Sequence, residues 1–449
     1  MVLSFGLAAW SSASIFDRLP RTEDEVTFLF QAKSIAAGEV IASAPEHPTF
    51  FFMSFVIARD GMWFGKYPPG FPAILALGEI IGQTWVINAL AASVAVGLLV
   101  LVGRRLYDLR TALIGATLMA LSPFFIIQSG ALLSHVVALC WVLLLLLLVD
   151  LMRNRDMPLA ALGAGIAAGM LLLTRPLTAV GIALPFVVLA VADLSRGRPL
   201  WGRYGLLAVG ALPFVAILLV YNDTTTGHPL RSAYELWWEY DRIGFGPEYG
   251  INGHTLSDAM DNTRSNLRDL SVVLFGWPLR LSLLPVLAAA VVASVRVRRD
   301  GLSRGSSADL LLAGMVIGLI GIHMLYWTPG KMYGPRYYFE IIGALSLLAG
   351  RGSSGYGMWY RGALRDLKAL EACSGTSFRR SSSAWSATTC SRHCHQRQTG
   401  IGAGMASNGM ISRRFRMPAW RTRWSSLPDR TGRPMRRSFS KTRSTSTAT

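Results

Sequence analysis

Charged residues are scarce in this chain, and their scarcity excludes an ordinary soluble domain. Of the 449 residues, 16% are Asp, Glu, Lys or Arg, and 52% are hydrophobic. Soluble domains carry about 25% charged residues, so the composition indicates a membrane protein. Cysteine is rarer still: there are 4, and only Cys140 lies before residue 351, inside an apolar run where inert packing is expected. No disulfide framework is therefore implied.

Nucleotide and metal motifs are also missing. The sequence has no P-loop, GxGxxG, HExxH or CxxC pattern in a convincing context, which argues against a soluble nucleotide site. Cys390, His393, Cys394 and His395 lie close together, but no second ligand pair follows at zinc spacing. We assign no cofactor and no metal, and a divalent ion remains an unsupported alternative.

Positive charge is concentrated in the last hundred residues. The formal net charge is +18, and residues 351–449 contain 17 Arg and 2 Lys against 3 acidic residues. This segment is rich in Arg, Ser, Thr and Trp, and it has neither a helical nor a strand period. We interpret 1–350 as a transmembrane region, with no nucleic acid as partner. The segment 351–449 is interpreted as a basic tail, either disordered or read out of frame; a genuine tail that binds anionic lipid or nucleic acid is the alternative.

Long apolar segments predict an all-α polytopic membrane protein with about nine to ten transmembrane helices. Spans are expected near 84–103, 110–129, 132–152, 158–174, 177–194, 203–221, 276–296 and 308–327. Apolar stretches at 2–16 and 337–350 are shorter. Every second connection is rich in arginine, which places those connections in the cytoplasm and the long loops 17–83 and 222–275 outside. Because long loops are usually functional, we expect the chemistry on the outer face of the plasma or inner membrane.

The first outer loop opens on three consecutive acids. Thr22 and Glu25 fit a capping box, and the residues that follow predict an amphipathic helix lying on the membrane surface. One acid is enough for the cap, so Asp24 remains free to accept a proton from an incoming hydroxyl. The alternative is that all three acids only cap the helix and favour its dipole.

Basic residues recur at the predicted outer ends of the apolar segments. Lys66, in "GKYPPGFPAIL", is placed to meet a lipid phosphate as a point charge. His135, Arg175 and Arg336 are expected to join Asp24 in a mixed acid–base pocket. For each of them, simple snorkelling to the interface is the alternative.

Aromatic residues beside acids and amides mark the second outer loop, 222–275, which includes His254. This composition suits a sugar, whose ring stacks on aromatic faces and whose hydroxyls need hydrogen bonds. It suits an interfacial aromatic belt equally well.

The order of short motifs resembles the GT-C membrane glycosyltransferases. The Asp-Glu pair, "KYPPGFPAILALG", "LSPFFIIQSGALLSH", "GMLLLTRPLTA", "LFGWPL" and "YGPRYYFE" follow one another over about residues 15–350. The resemblance is to the glycosyltransferase 39 type, the protein mannosyltransferase and lipid A aminoarabinose transferase-like branch. It implies a GT-C fold with interfacial helices in the first outer loop.

The resemblance also implies roles for individual residues. Asp24 matches the catalytic base, and its neighbour Glu25 is assigned to the catalytic site with it. The residues that would bind the phosphate of the donor are Lys66, Tyr67, Arg175, Arg336 and Tyr337. His135 and His254 would belong to the substrate pocket. At Ser134 and His135 the chain departs from many relatives, which carry an acid there.

The activity implied is inverting transfer of a sugar from a polyprenyl-phosphate donor to a glycan, lipid or protein acceptor on the non-cytoplasmic face. A transporter or flippase of lipid-linked sugars is the alternative, with Arg175 and His135 lining a pathway. An inactive truncated product is a further one. No internal repeat is evident, and the polar residues gather at one face of the membrane, which favours the enzyme.

Overall fold

The computed structural model describes residues 1–155, 157–300 and 304–353, and the described chain is dominated by helices. The helices are α1 (Val2–Ser14), α2 (Glu23–Ala36), α3 (Gly70–Ile80), α4 (Trp85–Leu106), α5 (Leu109–Ala120), α6 (Pro123–Gly130), α7 (His135–Asn154), α8 (Pro158–Thr174), α9 (Pro176–Ser195), α10 (Trp201–Thr226), α11 (Tyr234–Trp237), α12 (Leu256–Val273), α13 (Leu284–Asp300) and α14 (Arg304–His323). Helical turns cover Pro48–Phe51, Pro278–Leu283 and Arg336–Ile341, and residues 342–353 are helical. The predictions made for the basic tail and its Cys and His residues fall, from 354 onward, outside the described residues.

The predicted class, an all-α polytopic membrane protein, is confirmed. Six helices within the described ranges are long and apolar enough to cross a membrane, and a seventh results if α5 and α6 are taken together. This is fewer than the nine to ten expected. Helix α8, at 17 residues, and α1, at 13, are apolar but shorter than a full crossing. The stretch 337–350 is divided between the turn Arg336–Ile341 and the helix at 342–353.

The expected continuous span at 110–129 is broken. Helices α5 and α6 meet at an angle of 59°. Pro123 cannot donate the backbone hydrogen bond that would continue α5, and the Ser122 hydroxyl instead accepts a bond from the amide of Phe125 at 3.2 Å, which starts a new helix. The new direction brings α6 against α1, where a Cβ on Gly130 would lie 2.4 Å from Ser11 Oγ.

Close helix packing depends on small residues. Helices α8 and α10 approach until a Cβ on Gly165 would lie 2.0 Å from the carbonyl oxygen of Leu207. On the facing helix, a Cβ on Gly210 would lie 2.4 Å from the carbonyl oxygen of Leu162. Small residues at such crossings let the backbones of membrane helices touch. This contact holds the middle of α8 directly against α10.

The first outer loop contains a small sheet that the sequence analysis did not predict. Strands β1 (Ala42–Ser43), β2 (Val56–Arg59) and β3 (Met62–Gly65) are antiparallel in the order β1-β3-β2. Asp60 and Gly61, both at positive φ, form the two-residue turn between β2 and β3. Strand β3 leads directly into Lys66.

Helix α2 differs from the predicted surface helix, because the protein covers its polar face. Thr27 donates to the carbonyl of Ser54 at 2.9 Å, and Gln31 donates to the carbonyl of Tyr67 at 2.8 Å. Both side chains are buried. Helix α2 is therefore packed against the rest of the first outer loop through these two buried side chains.

Candidate functional site

A cavity of about 550 Å³ lies where several helix ends meet the two outer loops. Its lining includes the following residues predicted from the sequence: Asp24, Lys66, Tyr67, His135, Arg175, Arg336 and Tyr337. Glu25 and His254, also predicted as site residues, are not in the lining. The structure thus brings together side chains from widely separated parts of the sequence.

The cavity lies at the helix ends opposite the arginine-rich connections. Helix α7 starts at the cavity with His135 and carries Arg153 in its last turn. Helix α9 starts beside Arg175 and ends at Arg196, the first residue of an arginine-rich connection. Asn222, in the last turns of α10, returns to the cavity. The arginine-rich connections and the connections that alternate with them in the sequence therefore lie at opposite ends of the helix bundle.

Asp24 holds two hydrogen bonds on the cavity wall. The Tyr67 hydroxyl donates to its Oδ1, and Nη1 of Arg336 donates to its Oδ2. Burial alone would raise the pKa of Asp24, but the Arg336 charge and the two donated bonds outweigh it and hold the pKa below the ordinary value. Asp24 also lies in the first turn of α2, where the helix dipole favours a negative charge. It is therefore a carboxylate at neutral pH, able to accept a proton.

Glu25 has a different environment from its neighbour. Its side chain is fully buried, and Oε2 accepts a hydrogen bond from the backbone amide of Arg21 at 2.9 Å. The capping box is only half formed: Thr22 accepts from the amide of Glu25, but Glu25 reaches Arg21, one residue before the cap. Burial raises the pKa of Glu25 to about 6. Glu25 therefore helps to cap the N-terminus of α2, and its side chain does not line the cavity.

Lys66 is enclosed by aromatic rings and one carboxylate. Its Nζ lies 3.6 Å from the ring centre of Phe55, 4.8 Å from that of Trp238 and 5.1 Å from that of Tyr234. Asp241 Oδ2 is 3.9 Å away. Cation–π contacts and the carboxylate offset part of the cost of burying the charge. Burial lowers the pKa of Lys66 to about 8, against the opposing effect of Asp241.

Arg175 and His135 share a buried carboxylate that the sequence analysis did not identify. Glu340 Oε1 lies 3.0 Å from His135 Nδ1 and 3.0 Å from Arg175 Nε. Arg175 Nη1 lies 3.4 Å from the other ring nitrogen, Nε2. Since a guanidinium only donates, this arrangement fits a neutral imidazole with its proton on Nδ1. Glu340 belongs to the Arg336–Ile341 turn, so the carboxylate and the two basic side chains come from three different elements.

His254 lies away from the cavity. Its Nε2 is 2.9 Å from the carbonyl oxygen of Met324, and its ring stacks on Phe245 with centres 5.2 Å apart. These contacts attach the second outer loop to the segment after α14. The predicted pocket role of His254 has no geometric support here.

Asp241, which lines the cavity, is a second buried carboxylate that the sequence does not single out. Its Oδ1 accepts bonds from the Tyr326 hydroxyl at 2.6 Å and from Nε1 of Trp327 at 3.0 Å. The only signal available was the mixture of acids and aromatics in "YELWWEYDRIGFG", which does not single out one acid. Its importance depends on Lys66, which comes from the other outer loop.

No cluster of three His, Cys, Asp or Glu side chains that could hold a metal ion occurs among the described residues. Around the cavity, four basic side chains each lie near a carboxylate. The pairs are Arg336 with Asp24, Lys66 with Asp241, Arg175 with Glu340, and Arg242 with Glu235. An anion entering the cavity must therefore compete with carboxylates already in place.

The helix bundle, with its outer loops and its cavity at one end, shares its fold with ArnT, in agreement with the GT-C resemblance of the motif order. Among solved structures, the chain is similar to ArnT from Cupriavidus metallidurans bound to undecaprenyl phosphate, with a TM-score of 0.51, 15% identity, and coverage of 78% of this chain and 59% of that one. For the apo state of the same ArnT the TM-score is 0.48, with 16% identity and coverage of 80% and 61%.

A third similar structure is the Archaeoglobus fulgidus oligosaccharyltransferase in complex with Zn and sulfate. Its TM-score is 0.42 at 16% identity, with coverage of 82% of this chain and 51% of that one. No protein-family model and no curated protein matches the chain. The chain thus spans 59% of the ArnT chain bound to undecaprenyl phosphate.

Proposed function

We propose that this protein is a membrane glycosyltransferase that transfers a sugar from a polyprenyl-phosphate donor to an acceptor on the non-cytoplasmic face. One observation carries the proposal: a buried carboxylate, Asp24, lies in a cavity that also contains Lys66, Arg175 and Arg336. Glycosyl transfer from a lipid phosphate requires a base for the acceptor and cations for the departing phosphate. The ArnT fold, in a structure with undecaprenyl phosphate bound, supports a donor of that kind.

The chemistry assigned to Asp24 is general-base catalysis. Its carboxylate would take the proton of the acceptor hydroxyl while that oxygen forms a bond to the anomeric carbon. The bond from the anomeric carbon to the phosphate oxygen breaks, and its electron pair leaves with the polyprenyl phosphate. Attack opposite the leaving group inverts the anomeric centre. Lys66, Arg175 and Arg336 would stabilise the negative charge on the leaving phosphate, and Tyr67 and Tyr337 would line its site.

Arg336 links donor binding to the base in this scheme. In the structure its guanidinium binds Asp24, and this pairing weakens the carboxylate as a base. A phosphate that attracts Arg336 would release Asp24 to accept a proton. Donor binding would then activate the base before the acceptor reacts.

The side of the membrane follows from the arginines. Arginine-rich connections stay in the cytoplasm, and the cavity lies at the other ends of the helices. We infer an active site on the periplasmic or extracellular side of the inner or plasma membrane. A cavity at the helix ends also suits an enzyme better than a transport pathway through the bilayer. The acceptor is a glycan, lipid or protein.

The test is sugar transfer by the full chain in membranes, supplied with polyprenyl-phosphate sugars labelled in the sugar. Asp24→Asn should reduce transfer by about 10²–10⁴-fold, the usual contribution of a general base, while the variant still inserts and still binds undecaprenyl phosphate. Asp17→Asn is the matched control, because Asp17 is exposed and its ion pair is with the nearby Arg21, outside the cavity lining. Transfer by Asp24→Asn at the wild-type rate would refute the assignment.

A further inference from the structure

Asp241 lines the cavity, with one carboxylate oxygen engaged in hydrogen bonds and the other without a donor among the described residues. Oδ1 accepts bonds from Tyr326 and Trp327, and these bonds fix the orientation of the carboxylate. Oδ2 accepts no hydrogen bond from the described residues, and only 1% of the side chain is exposed. A buried carboxylate oxygen without a donor is costly. The position is therefore suited to a ligand that brings a donor.

The nearest cation to that oxygen is Lys66, 3.9 Å away and beyond hydrogen-bond distance. If Lys66 turns to a donor phosphate, as the proposed function requires, the negative charge on Oδ2 is less well balanced by the positive charge of Lys66. The sugar is bonded directly to that phosphate, so its ring must lie beside Lys66 and hence beside Asp241. Trp238 and Tyr234 present aromatic surfaces at the same place.

We propose that Asp241 is the sugar-recognition residue of this site, its Oδ2 accepting a hydrogen bond from a hydroxyl of the donor sugar. This inference rests on the proposed function and adds a division of labour to it. Lys66 and Arg336 bind the phosphate, whereas Asp241 binds a hydroxyl of the sugar. Small-molecule sites commonly fix orientation with a few polar groups placed in this way.

The experiment compares two ligands on the same protein. The full chain in lipid nanodiscs is titrated with undecaprenyl phosphate, and then with undecaprenyl phosphate carrying glucose, mannose, galactose or arabinose, without acceptor. Asp241→Asn keeps an acceptor for Tyr326 and Trp327 but replaces Oδ2 by an amide nitrogen that donates. Its affinity for undecaprenyl phosphate should be unchanged or higher, since a nearby negative charge is removed. Its preference for the best sugar-bearing lipid over undecaprenyl phosphate should fall by about 10- to 100-fold.

Asp269→Asn is the matched control, because Asp269 lies in α12, is 39% exposed and pairs with Lys331 away from the cavity. Equal loss of both affinities in Asp241→Asn would overturn the proposal and make Asp241 a positioning residue for Lys66. An unchanged preference would also overturn it, as would a wild type that binds no sugar-bearing lipid more tightly than undecaprenyl phosphate. A wild type that binds neither ligand would instead refute the proposed function. Because the decisive quantity is a ratio within one sample, partial misfolding of a variant cannot imitate the expected result.

Discussion

Asp24 and Arg336 form an ion pair across 312 positions of sequence, and this pair joins the first outer loop to the last described segment. Asp24 begins α2, and Arg336 begins the helical turn Arg336–Ile341. Only 11% and 16% of their side chains are exposed, so removing one partner leaves the other charge buried. The pair therefore contributes both to the fold of the site and to its proposed chemistry.

Arg336→Gln should reduce both stability and sugar transfer more than Arg336→Lys does. Removing one partner of a buried pair costs about 3–5 kcal/mol, and the glutamine also removes a cation from the proposed phosphate site. Lysine retains the charge but loses the planar guanidinium, so it should restore stability better than it restores transfer. Thermal unfolding in detergent and transfer by the same preparations measure the two effects. Equal activity of both variants would contradict a phosphate-binding role for Arg336.

If Lys66 binds the donor as proposed, donor binding should depend on pH in a range where an ordinary lysine would have no effect. Its pKa is lowered to about 8 by burial, so the free site loses the Lys66 charge as the pH rises through 8. If the bound phosphate needs that charge, affinity for undecaprenyl phosphate should fall above pH 8 by up to about tenfold per pH unit.

The matched variant for this prediction is Lys66→Arg, which keeps its charge throughout that range. Its affinity for undecaprenyl phosphate should be flat between pH 7 and 9.5, even if it is lower overall. Titrations of both proteins in nanodiscs provide the comparison. A wild-type affinity that does not change above pH 8 would show that the charge of Lys66 is not used in binding the donor.

Glu25 and Asp24 are adjacent in sequence, yet they should respond differently to the same kind of substitution. The pKa of Glu25 is raised to about 6 from an ordinary value of 4.5, so at neutral pH its buried charge opposes folding by about 2 kcal/mol. This penalty is absent below pH 4.5 and grows as the pH rises toward 6. Glu25→Gln should therefore unfold at a higher temperature than wild type at pH 7.5, and the difference should shrink at pH 5.

Transfer separates the two acids further. Glu25→Gln should keep most of the wild-type rate, because Glu25 contacts Arg21 and does not line the cavity. Loss of transfer comparable with that of Asp24→Asn, in a protein that remains folded, would restore Glu25 to the catalytic pair implied by the resemblance.

The sequence pointed to candidate site residues whose type is rare in this chain. Charged residues are scarce in it, so Asp24, Lys66 and Arg175, which lie beside apolar segments, stand out without any knowledge of the fold. Asp241 and Glu340 do not stand out in this way. Asp241 lies among other acids of a long loop, and Glu340 follows two tyrosines and a phenylalanine. Their significance depends on which cation each one meets, and tertiary structure alone decides that.

Local structure was predicted well for long elements and poorly for short ones. The long apolar runs correspond to the described spanning helices, because burial of the backbone in lipid leaves little choice. The strands of the first outer loop contain two to four residues, and hydrophobic and polar residues do not alternate clearly along them. Asp60 and Gly61 are therefore the local sign of a hairpin in the sequence. The break at Pro123 was overlooked because hydropathy remains high across it.

The contact between α8 and α10 provides a stability test that is independent of function. Gly165 and Gly163 lie two residues apart on α8, but only Gly165 faces the backbone of α10. A Cβ on Gly165 would lie 2.0 Å from the Leu207 carbonyl oxygen, whereas a Cβ on Gly163 would first meet the flexible end of Leu148 at 3.1 Å.

Gly165→Ala must push the two helices apart, and we expect the free energy of unfolding to fall by about 1–3 kcal/mol. Gly163→Ala should change the unfolding temperature little, because only a side chain has to move. Thermal unfolding of the two variants in the same detergent measures the difference, and equal stability of the two would mean that α8 and α10 do not cross as closely as described.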